Sequence, residues 1–146
     1  MVGFLDKHLT KQDKKEIVEA IVEAEKMTSG EIRVHMQKKC KGDALHEAKK
    51  VFHRLKMHKT LHHNAVLIFI ALESRQFAIL GDSGIHQHVG DLFWGQTRDK
   101  IVSYFSKGQI KDGVIAGILS VGEKLSIHSA ANARDKNELP NEITER

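Results

Sequence analysis

The run Ala65–Leu72, Ala-Val-Leu-Ile-Phe-Ile-Ala-Leu, is apolar at every position. A strand with one face in water alternates polar and apolar residues. An unbroken run of this length marks a strand buried on both faces. Other layers must therefore cover both sides, and the rest of the chain has to supply them. Lys11–Met27 supplies one cover, with Ile17, Ala20, Ile21, Ala24 and Met27 at helical spacing behind a Thr10 cap. Thr28-Ser29-Gly30 stops that helix. Glu31–Gln37 then alternates with period two and places Ile32, Val34 and Met36 on one face of a strand. A second helix, capped by Asp43, carries Leu45, Ala48, Val51, Phe52 and Leu55.

A helix between two strands gives a right-handed crossover, so the first two strands run parallel. Glu73-Ser74-Arg75 is too short for a crossover, and Gln76–Leu80 must return antiparallel. A short helix over Ile85–Val89, a longer one over Asp91–Phe105 and a last one over Ile110–Leu125 follow. The expected fold is a three-layer α/β/α sandwich around a small mixed sheet, two parallel strands plus an antiparallel hairpin strand. Residues 1–128 form one domain. Residues 129–146 lack periodicity and read as a disordered tail.

The chain has 146 residues, a net charge of +4 and one cysteine. Its densest basic stretch, Lys38-Lys39-Cys40-Lys41, has no interleaved aromatics, so no nucleic-acid partner is expected. Lone Cys40 forms no internal disulfide and suits a reducing compartment. The opening residues lack a signal-peptide core, and eight apolar residues do not span a bilayer. These features predict a cytoplasmic protein without a membrane span.

The topology also locates the acids. The third strand ends at Gly81-Asp82, on the edge where the other two strands begin. That edge also holds Glu31 and the His62-His63-Asn64 loop, so Glu31 and Asp82 are expected to come together. Asp91, after Gly90, is a natural helix cap whose carboxylate could equally face this cluster. Clustered carboxylates suit hard cations such as calcium or magnesium; the same residues also serve as plain helix caps and solvated edge groups. The ten histidines include no HExxH pair and have no cysteine partners, so they read as surface residues. Gly81-Asp-Ser-Gly84 lacks a Walker ending, and no serine sits in a Gly-x-Ser-x-Gly elbow.

Thr28-Ser-Gly-Glu-Ile-Arg-Val-His35, the strand from Ala65, Arg75-Gln-Phe-Ala-Ile-Leu-Gly-Asp-Ser-Gly-Ile-His86 and Val89-Gly-Asp-Leu-Phe-Trp94 together resemble the TPM domain family over roughly residues 5 to 127. The resemblance implies an α/β/α sandwich with a divalent-metal site, usually calcium. Carried over by position, its ligands are Glu31, Asp82 and Asp91, with Asp99 as a fourth. It implies a non-enzymatic binding or stability module on a monomeric chain, whose partners are the cation and another protein. Some plant members are associated with acid-phosphatase activity. That alternative would have the metal polarise a phosphoryl oxygen, Asp82 act as nucleophile or base, and Arg33 or Arg98 clamp the phosphate. Many members carry a signal peptide and a C-terminal membrane anchor. Neither is seen here, so the chain reads as a stand-alone domain.

Overall fold

The computed structural model describes residues 7–85, 94–128 and 139–146. In chain order the elements are α1 (Lys11–Glu25), β1 (Glu31–Gln37), α2 (Ala44–Arg54), β2 (Ala65–Ala71), β3 (Gln76–Gly81), α3 (Gly95–Phe105), α4 (Ile110–His128) and β4 (Thr144–Glu145). A single 3-10 turn, Met57–Lys59, follows α2. The sheet order is β3-β2-β1-β4. β1 and β2 pair in parallel from Glu31↔Ala65 to Gln37↔Ala71, and β3 returns antiparallel.

Every residue of β2 is buried, as its sequence requires, because its two faces feed two cores. Val66, Ile68 and Ile70 join Ile17, Ile21 and Ala24 of α1, Ile101 of α3, and Val114, Ile118 and Val121 of α4. Ala65, Leu67, Phe69 and Ala71 pack instead against Ala48, Val51 and Phe52 of α2 and against Met57. Three helices thus cover one face and α2 covers the other. This is the expected three-layer sandwich.

The helix caps also follow the sequence. Thr10 Oγ1 accepts from the Asp13 amide at 3.0 Å, and Asp13 Oδ2 accepts from the Thr10 amide at 2.9 Å, a complete capping box. Asp43 Oδ2 accepts from the His46 amide at 3.3 Å to start α2. Leu45, assigned to the α2 stripe, is 36% exposed instead. The short helix expected over Ile85–Val89 and the start of the one expected from Asp91 fall largely on residues 86–93, outside the described residues.

The reading of residues 129–146 as a disordered tail needs correction in its second half. Residues 139–146 form a strap across the β1 edge, with β4 pairing parallel to β1 at His35↔Thr144 and Met36↔Glu145. Leu139 is buried in the α2-side core, while Ile143 packs against the other core. The strap therefore straddles the sheet edge with one apolar anchor in each layer. It also accounts for an oddity of β1, whose polar residues Glu31, Arg33, His35 and Gln37 are all buried. The alternation in β1 is one apolar face and one covered polar face, rather than one solvated face.

Candidate cation site

The register brings Glu31 and Asp82 into one row across the sheet. Glu31 pairs with Ala65, and Val66 pairs with Gly81, so Asp82 falls opposite Ala65. The Asp82 amide confirms this by donating to the Ala65 carbonyl at 2.9 Å. Ala65 faces the α2-side core, and Asp82 continues the alternation of Ala78 and Leu80 on that side. Two carboxylates thus flank an alanine methyl, one strand away on each side, with Cα atoms ~10 Å apart by the usual strand spacing. Glu31 is 4% exposed and the Asp82 side chain 13%.

Local backbone fixes this corner. Asn64 Nδ2 donates to Ser29 Oγ at 3.1 Å, tying the loop before β2 to the loop before β1. Gly84 donates its amide to the His63 carbonyl at 2.8 Å. A Cβ on Gly84 would strike the His62 carbonyl and lie 2.6 Å from that of His63, so only glycine lets the two loops close. His63 itself adopts a left-handed conformation at φ 50.

Asp82 Oδ1 accepts from the Ser83 amide at 2.8 Å. Its Oδ2 is buried, lies 3.4 Å from His63 Nδ1 and makes no hydrogen bond among the described residues. Thr60 Oγ1, from the turn beside it, is also buried without a partner there, on a residue only 3% exposed. Buried oxygens without donors cost free energy unless something satisfies them. His58 contributes an imidazole stacked on His53, with ring centroids 4.0 Å apart and planes at 2°. Burial, then the His53 neighbour, holds the His58 pKa below its ordinary value.

At the Glu31 end the chemistry is carboxylate-rich. Glu25, at the end of α1, accepts the Ile32 amide on Oε2 at 2.8 Å and so occupies the β1 edge beyond the reach of β4. Burial raises the Glu25 pKa to about 7; the Ile32 hydrogen bond opposes the rise and the Glu31 charge adds to it. Glu31 Oε1 accepts from the Leu139 amide at 2.8 Å.

The other sequence candidates are placed differently. Asp91 lies outside the described residues. Asp99 sits exposed on α3, a helix whose Ile101 packs on the opposite face of the sheet. Among the described residues no group of three or more His, Cys, Asp or Glu side chains is arranged to hold a metal ion. Two carboxylates, the Thr60 hydroxyl, nearby backbone carbonyls and water make an oxygen-rich donor set that fits a hard cation. Thr60, Glu25 and the Leu139 amide escaped the sequence reading. A threonine in a polar turn, a glutamate beside an apolar stripe and a backbone amide carry no local signal.

A family model, the TPM domain, matches residues 5–124. The solution structure of the BA42 protein from the psychrophilic bacterium Bizionia argentinensis is 44% identical, with 94% of this chain and 95% of that one covered at a TM-score of 0.89. The N-terminal domain of a P. gingivalis protein matches at 15% identity and TM-score 0.69, covering 86% of this chain and 83% of that one. The N-terminal domain of a Corynebacterium glutamicum protein matches at 16% identity and TM-score 0.64, covering 96% and 82%. These two similarities speak to the fold alone. No curated protein matches the sequence.

Proposed function

This chain belongs to the TPM domain family, and from that premise we propose that it is a non-enzymatic, calcium-binding module. Glu31 and Asp82 would hold the cation, with Thr60 Oγ1 as a neutral donor and magnesium as the competing ion. Asp91 and Asp99 remain candidate ligands by family position alone. A bound divalent cation supplies positive charge that satisfies buried carboxylate oxygens, and the chain positions those oxygens from two strands held in fixed register. The observation that carries this reading is the buried Asp82 Oδ2, in the same cross-strand row as Glu31 and without a hydrogen-bond donor.

The phosphatase alternative has less support. A phosphate clamp needs an exposed arginine at the acids. Arg33 is 6% exposed and 3.6 Å from Glu142, and Arg98 lies on α3 in the other layer. Titration calorimetry with calcium and with magnesium tests the binding reading. Heat of binding and a raised melting temperature, both lost in Asp82→Asn, are expected. The absence of both at millimolar metal in the unaltered chain would refute it. No helix among the described residues is long and apolar enough to cross a membrane.

A further inference from the structure

The strap reaches the same row of β1 side chains from which the cation site is built. Its contacts climb that row in order. The Leu139 amide donates to Glu31 Oε1 at 2.8 Å. Glu142 Oε1 meets Arg33 Nη2 at 3.6 Å. Thr144 Oγ1 meets His35 Nδ1 at 2.9 Å and donates toward the Val34 carbonyl at 3.3 Å. The Arg146 amide closes the series on the Met36 carbonyl at 3.2 Å. Specific side chains at alternate β1 positions thus hold a segment whose regular strand is only two residues long.

We infer that residues 139–146 are a cation-coupled clasp: the docked strap positions Glu31 for the cation, and the bound cation holds the strap down. The inference rests on the calcium reading above and adds to it a segment far away in sequence. Two physical arguments fix the sign of the coupling. A carboxylate has lone pairs enough to accept an amide hydrogen bond and ligate a cation together, and such an outer hydrogen bond orients the ligating group. Docking also buries Glu31 close to Glu25, which is costly for two like charges and is relieved by a cation in their midst. Cation and strap therefore favour the same state, and each must strengthen the other by the same factor.

The test is amide hydrogen exchange on the full chain with and without calcium, alongside calorimetry. Leu139 and Arg146 report the strap, and α4 amides such as Ile118 report global opening. Calcium is expected to raise strap protection at least about fivefold, the lower end of ordinary coupling. Asp82→Asn, which leaves the Leu139–Glu31 bond untouched, should show no such rise. The paired substitutions Thr144→Val and Glu142→Gln, which touch no proposed ligand, should weaken calcium affinity by a similar factor. Calcium heat without a change in strap protection, or with a decrease, would overturn the clasp and leave the cation site standing. An unaltered calcium affinity in the paired variant that still folds would do the same. No calcium heat in the unaltered chain would overturn both.

Discussion

Asp82 and Glu25 present two versions of the same problem, a carboxylate held away from water. Glu25 solves it partly by accepting the Ile32 amide, yet burial still raises its pKa from 4.5 to about 7. A raised carboxylate favours folding most below pH 4.5, and that contribution is lost as pH rises through 7. In metal-free protein, Glu25→Gln keeps an oxygen for Ile32 and removes the charge. Urea denaturation should then show the variant more stable above pH 7 by ~1–2 kcal/mol, after discounting for the half-buried position, with a flatter profile between pH 4.5 and 7. A variant profile that keeps the parent's slope would show that another group sets it. Gly84 offers a steric test at the same corner. Gly84→Ala drives a methyl into two fixed carbonyls and should cost ~1–3 kcal/mol by thermal or urea denaturation. It should also weaken calcium binding, because it displaces the loop that carries Asp82.

At the scale of elements, β2 was readable in the sequence because burial on both faces leaves no polar position in it. Ile68→Ala should therefore be among the costly substitutions, ~2–5 kcal/mol in chemical denaturation. The strand β4 was not readable. Leu139–Arg146 contains a proline and four charged or amide residues, and only two residues pair as a strand. Its order comes from non-local partners, chiefly Glu31, Arg33 and His35, which a scan of local periodicity does not connect. The same strap changes the meaning of β1, where alternation alone indicated a solvated face. His35 registers the difference. Burial holds its imidazole below the ordinary value of 6.5, with the Gln37 hydrogen bond opposing and Arg54, Arg146 and Arg33 adding to the shift. Unfolded chains take up that proton first as pH falls below 6.5, so the stability gained from neutral His35 is intact above 6.5 and lost on acidification. Exchange protection at Arg146 should fall between pH 6.5 and 5.5. In His35→Gln that dependence should be weaker.

For the whole molecule, hydrophobic patterning and the short Glu73–Arg75 link were enough to give the three layers, the parallel crossover and the antiparallel return. Those features rest on rules of period and connection that act locally. The site was readable only in part. Glu31 and Asp82 share a row because antiparallel β3 must end where β1 and β2 begin, and that follows from topology. Asp99 was proposed by family position, and its helix instead packs on the far side of the sheet from that row. Thr60 and Leu139 enter through turns and a strap whose courses no periodicity encodes. The 44% identity to BA42 across nearly the whole chain fits a common architecture that includes this row. One measurement bears most directly on the cation site: the melting temperature of the full chain and of Asp82→Asn, each with EDTA and with millimolar calcium. Calcium should raise the melting point of the unaltered chain by several degrees, as binding to the native state requires, and leave Asp82→Asn unmoved. Equal shifts in both proteins, or none in either, would contradict a calcium site at Asp82.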